Sequence, residues 1–146
     1  MAPYHSHLEG LLKARKYQQE VVYRELIEQE NLLAIENTQL QTWVEASEAA
    51  LERLKTHQHL GGDPGEIQRH YTFIQFQAEK IKTQQEKIRI QKETVEQKRQ
   101  ELSEVVQEKK IVEKVESRQR NAYFERVKKN ENRLLDEIAG RMRRKF

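Results

Sequence analysis

Ile67, Ile74, Ile81, Ile88, Val95 and Leu102 recur at a strict interval of seven, with mostly Lys, Glu, Gln and Arg between them. A seven-residue repeat falls slightly short of two straight helical turns. The apolar line therefore stays on one side only if the helix supercoils around a partner. The stretch demands a second helix. The companion positions, read four residues after each apolar one, are Tyr71, Ala78, Gln85, Lys92, Arg99 and Val106. They are poorer, so about half of the seam is polar; such a seam associates with modest stability, and its polar rungs help to fix register.

Composition decides what kind of molecule can carry that seam. Of 146 residues, 36% are hydrophobic and 35% charged, too lean a ratio to enclose a globular core. Disordered chains share such ratios but lack sustained heptads, and only two Pro and five Gly interrupt this one. The expectation is all-α: a single elongated coiled-coil domain over residues 1–146. With no Cys, neither a disulfide framework nor a thiolate metal site is possible. No apolar run approaches the roughly 20 residues that span a bilayer, and residues 1–20 lack the apolar core of a signal peptide, so a soluble cytoplasmic protein is expected. The net charge of +3 is too small to imply nucleic acid by itself, but it is unevenly placed. From Gln119 onward nine basic residues (Arg120, Arg126, Lys128, Lys129, Arg133, Arg141, Arg143, Arg144, Lys145) outnumber four acidic ones (Glu125, Glu131, Asp136, Glu137).

Taken in order, residues 1–7 read as a short leader. A second heptad line then appears in Leu12, Leu26, Leu33, Leu40 and Leu54, with Gln19 and Ser47 as polar rungs and Val22, Tyr23, Trp43, Val44, Ala50 and Leu51 flanking it. No Gly or Pro lies between Lys13 and Leu60, so one helix over about 5–58 is expected. The break is Leu60-Gly61-Gly62-Asp63-Pro64-Gly65-Glu66. Paired glycines end a helix; Asp63 as N-cap, Pro64 at the first helical position and Glu66 in the first turn start another. A turn over about 59–65 and a second helix over about 66–142 follow. A short turn between two heptad lines gives a long two-helix antiparallel coiled-coil hairpin. Pairing about Gly61 and Gly62 sets opposite one another residues whose numbers total about 123: Leu54 near Arg69, Leu40 near Thr83, Leu26 near Gln97, Leu12 near Ile111. The first arm is used up by about Arg118, leaving Gln119–Phe146 as a C-terminal helical overhang without an intramolecular partner. It still carries an apolar stripe at helical spacing, Tyr123, Val127, Leu134, Ile138 and Met142, which marks it as a docking element.

Catalytic chemistry is not evident. There is no Gly-rich phosphate loop and no nucleophile–base set, so no enzyme, no catalytic residue and no cofactor is expected. His57 and His59 flank the turn, and His5 and His7 flank the start. A spacing of two brings such a pair together only in extended chain, and no further ligand completes a set, so solvated surface histidines and no metal are the reading. Trp43, Tyr71, Phe73 and Phe76 gather near the turn. They either pack the end of the hairpin or form an exposed patch for a partner, because a two-helix coil hides only one narrow face. For the basic tail, a protein partner is favoured over nucleic acid, since Glu125, Glu131, Asp136 and Glu137 would repel phosphates. It is favoured over a membrane surface too, since Asn130 and Glu131 interrupt the stripe. A hairpin should be monomeric in isolation. The rival, a parallel dimer of long helices broken at Gly61 and Gly62, should not.

The order of these features resembles the flagellar export protein FliJ family and its injectisome counterparts, the stalk components of type III secretion. The likeness covers nearly the whole chain: the start Leu8-Glu9-Gly10-Leu11-Leu12-Lys13-Ala14-Arg15, the Gly/Pro turn, the stretch YTFIQFQAEKI from Tyr71 to Ile81, and Glu131-Asn132-Arg133-Leu134-Leu135-Asp136-Glu137-Ile138-Ala139. What the resemblance implies is a non-enzymatic stalk shaped like a rotary ATPase shaft. Its ends would enter the pore of the hexameric export ATPase (FliI type), here through Tyr123, Val127, Arg133, Leu134, Ile138, Arg141 and Met142. Its hairpin would contact the export gate (FlhA type), with export chaperones as further partners. Through the gate it would sit peripherally on the cytoplasmic side of the bacterial inner membrane. The family's gate-binding face maps onto Gln39, Trp43, Ala46, Ala50, Phe73, Gln77, Lys80 and Gln84. Gln39 and Phe73 match its pattern and Trp43 keeps a large apolar side chain; Ala46 and Ala50 stand where the family can have tyrosines, and Gln77, Lys80 and Gln84 also depart from it.

Overall fold

The computed structural model describes residues 3–145. Two helices account for nearly all of them, α1 over Glu9–His59 and α2 over Pro64–Lys145, with no strand among the described residues. The two pack against each other as a helical hairpin.

The turn follows from its residues. Gly61 adopts a φ of +67°, the left-handed conformation that costs an L side chain most, and so ends α1. The amide of Gly62 then donates to the carbonyl of His57 at 2.9 Å and that of Gly61 to Gln58 at 3.3 Å, the paired bonds of a Schellman cap. Asp63 opens α2: its carboxylate accepts from the Gly65 amide at 3.4 Å, its carbonyl accepts from Ile67 at 3.1 Å, and Pro64 takes the position where its missing N–H costs nothing.

The chain divides into two compact units. In the first, Val22–Leu102, the seam buries Val22, Leu26, Ala50 and Leu54 against Ile88 and Val95 of α2, with Leu33, Leu40, Ile67, Ile74, Ile81 and Leu102 half-buried beside them. Burial of each large aliphatic side chain contributes about 1.5–3 kcal/mol. The α1 line read from sequence, Leu26 through Leu54 with Ser47 as a polar rung, faces α2 throughout. The companion line on α2 is different from the one read above. Tyr71, Ala78, Gln85, Lys92 and Arg99 are exposed, and the positions three residues after each Ile or Val face α1: His70, Gln77, Gln84, Gln91 and Lys98. Their hydrogen bonds show why. Gln84 is 3% exposed; its amide donates to the Glu36 carbonyl at 2.9 Å and also to the Glu36 carboxylate. Gln91 repeats the clasp one heptad on, donating to the Gln29 carbonyl at 3.0 Å and its side-chain oxygen at 2.8 Å. Lys98 Nζ reaches Glu25 at 2.7 Å and Glu101 at 3.0 Å. A long amide can span from this line to the opposite backbone, so polar residues occupy it without being stranded.

The second unit joins the segment ending at Val21 to α2 from Ser103 onward. Val105 is buried in its seam, and Arg15 Nη1 donates to Glu108 Oε2 at 2.8 Å across it. That pair and Lys98 with Glu25 both total 123, the register expected from the turn. Val112 is half-buried, whereas Ile111, the expected neighbour of Leu12, is 62% exposed.

Candidate functional site

Two surfaces carry the large apolar side chains that the seam leaves out. The first lies in the Val22–Leu102 unit, where Trp43 and Ala46 of α1 meet Phe73, Phe76, Gln77 and Lys80 of α2 around a hollow of about 260 Å³. These rings are too bulky for a seam one side chain wide, so they fall on its flank. Phe73 and Phe76 are about half exposed and Trp43 is half-buried. Lys80 Nζ stands 4.9 Å from the Trp43 ring and 4.7 Å from the Phe76 ring, attracted by both π faces and still open to solvent. The ammonium offers an incoming carboxylate a partner beside apolar surface. Five of the eight residues mapped from the resemblance (Trp43, Ala46, Phe73, Gln77, Lys80) line this hollow. Gln39 is exposed on the same flank of α1 by helical spacing. Ala50 and Gln84 are not part of an outer face: each is 3% exposed, Ala50 in the seam and Gln84 clasping Glu36.

The second surface lies in the other unit, at the C-terminal end of α2. Every residue over 128–145 is exposed except Gly140, including Leu134, Leu135, Ile138 and Met142. Val127, half-buried, begins this stripe, and Arg133 and Arg141 stand exposed beside it. Leu135 widens the stripe beyond the residues singled out from sequence. The overhang is shorter than spacing alone predicts. The leader folds back onto it: the Tyr4 ring lies 5.3 Å from Tyr123 and 6.2 Å from Phe124, with the Arg120 guanidinium 5.7 Å from the Tyr4 ring. Arg120 also donates to Glu116 at 3.0 Å, satisfying a carboxylate that is otherwise buried. Tyr123 is therefore held by the leader, and the open stripe starts at Val127. Tyr4 and Arg120 escape a heptad reading because Tyr4 belongs to no helix; the available signal was an aromatic residue in a short leader opposite a Tyr-Phe pair.

Near the turn, the His57 and His70 rings lie 4.9 Å apart, and His57 Nδ1 is 3.9 Å from Glu66. The partner of His57 is thus His70 on α2, where sequence spacing pairs it with His59.

Two long helices closing one heptad seam within a single chain define a coiled-coil hairpin, with exposed apolar side chains on its flank and tail. The chain belongs to the FliJ family: the family model described as Flagellar FliJ protein matches residues 4–145, nearly its full length. Searches among curated proteins and among solved structures found no match. Membership makes this a protein of flagellum biogenesis and flagellar protein export. No helix of the described residues is long and apolar enough to cross a membrane.

Proposed function

We propose that the protein is the non-enzymatic stalk of the flagellar export apparatus. Its tail enters the hexameric export ATPase (FliI type) and promotes the assembly and activity of the ring. The hollow around Trp43 contacts the export gate (FlhA type), export chaperones are further partners, and the gate holds the protein at the cytoplasmic side of the inner membrane.

The observation that carries this reading is the bare stripe Leu134, Ile138 and Met142, begun by the half-buried Val127, on a helix flanked by Arg133 and Arg141. An exposed apolar stripe this long is unfavourable in water and calls for a covering surface. The cations beside it favour a channel that offers carboxylates as well as apolar side chains. Deleting residues 128–146 keeps the Tyr4–Tyr123 contact and the whole hairpin. The truncated protein should stay helical by circular dichroism and no longer stimulate the ATPase. Undiminished stimulation would count against the tail as the ring-binding end.

A further inference from the structure

The flank that carries the Trp43 hollow is charge-segregated along the Val22–Leu102 unit. Helical spacing places Arg53, Ala46, Gln39, Leu32 and Glu25 in one line on α1, with Ile35 and Glu28 on the neighbouring line. It places Phe73, Lys80, Lys87 and Glu101 in one line on α2, with Arg69, Phe76 and Ile90 beside it. Both helices present these lines on the same side, because Ala46, Phe73, Phe76 and Lys80 line one hollow. Toward the turn the flank is basic, with Arg53, Arg69, Lys80 and Lys87; its acid there, Glu66, lies beside His57. Away from the turn it is acidic, with Glu25, Glu28 and Glu101; the cation among them, Lys98, is shared by Glu25 and Glu101. Between the two ends stand Leu32, Ile35 and Ile90, all exposed, Ile35 at 63%. The Gln91–Gln29 clasp sets Ile90 level with them.

A surface that runs basic, apolar, acidic is complementary to itself after half a turn about its apolar middle. We propose that, against the monomer expected of an isolated hairpin, this flank binds a second copy of the chain in a two-fold antiparallel dimer, with Leu32, Ile35 and Ile90 at the axis. Lys80 of each copy then faces the acidic end, Glu28 foremost, of the other. Each copy also supplies what an exposed apolar cluster on a two-helix coil lacks, a second apolar surface of the same shape. The acidic end of one copy lies over the Trp43 hollow of the other, so the dimer withholds that hollow. That this blocks gate binding rests on the function proposed above; the dimer itself does not.

Sedimentation equilibrium of the full chain over a concentration series tests the proposal without any export partner. The wild type should show a reversible monomer–dimer equilibrium that weakens with salt. Lys80→Glu and Glu28→Lys, both at exposed positions, should each weaken it about tenfold, because two like-charge contacts replace two attractive ones. An equimolar mixture of the two variants should recover dimer, since every contact across the mixed pair is again of opposite charge. Ile90→Asp should give monomer with unchanged helicity. A wild type that stays monomeric at every concentration overturns the proposal. So does a dimer indifferent to Ile90→Asp, or a mixture that recovers nothing. If the dimer forms as described and gate binding proceeds from it unhindered, the reading of the hollow fails and the dimer stands.

Discussion

Gln77 and Gln84 stand one heptad apart on the same line of α2 and meet different surroundings. The Gln84 amide is matched by Glu36, while Gln77 Oε1 is buried without a hydrogen-bond partner among the described residues. Replacing a stranded polar group by an isosteric apolar one recovers its desolvation cost, whereas removing a matched donor leaves its acceptor short. Gln77→Leu should therefore stabilise the protein by about 1–2 kcal/mol, and Gln84→Leu should destabilise it by about 1 kcal/mol, in urea unfolding followed by circular dichroism. Lys98 adds a pH signature. Its hydrogen bond to Glu25 first, and to Glu101 second, raises its pKa above the ordinary lysine value. A raised folded pKa means a contribution fully present below about 10.4 and lost as pH climbs through the higher folded value. Lys98→Met should thus melt below the wild type at neutral pH, with the gap closing in strongly alkaline buffer. These residues also show where sequence stops being informative. His70, Gln77, Gln84, Gln91 and Lys98 are no more apolar than Tyr71, Ala78, Gln85, Lys92 and Arg99. A heptad line fixes one edge of the seam, and only the reach of the glutamine amides to the opposite backbone decides on which side its companion lies.

At the scale of elements, the turn was legible because its residues are few and each has one job. Gly61 takes the left-handed conformation, Asp63 caps and Pro64 begins. Gly61→Ala forces a Cβ into that conformation and should cost about 1–2 kcal/mol, while leaving the m-value of denaturation unchanged, since the same surface is exposed on unfolding. An unchanged midpoint would mean that the cap rearranges freely. The turn centre in turn fixes the register, which is why Arg15 meets Glu108 and Lys98 meets Glu25 at the pairing expected from the sequence. The leader was not legible. Heptads describe helix against helix, and Tyr4 reaches Tyr123 from a segment with no periodicity. Of the eight residues mapped from the family resemblance, Ala50 and Gln84 belong to the seam because spacing of three and four residues visits seam and flank alternately, and a carried-over pattern does not say where one ends.

For the whole molecule, the Trp43 hollow and the tail stripe fall in different compact units and share no residue. Perturbations at sites without common contacts combine additively, so the two docking activities proposed above should be separable by mutation. Trp43→Ala with Phe73→Ala strips the hollow of a half-buried and a half-exposed ring, both outside the seam core, so the fold should survive while gate binding falls at least tenfold and ATPase stimulation persists. Leu134→Glu with Ile138→Glu places carboxylates in the tail stripe and should do the reverse, because both positions are solvent-exposed in the free protein and the cost arises only when a partner covers them. Pull-down on the isolated gate protein and a steady-state ATPase assay on the isolated ring read the two activities independently. Loss of both activities from either double variant, with helicity intact, would mean that one surface serves both partners and that a stalk with separate contacts for motor and gate is the wrong description.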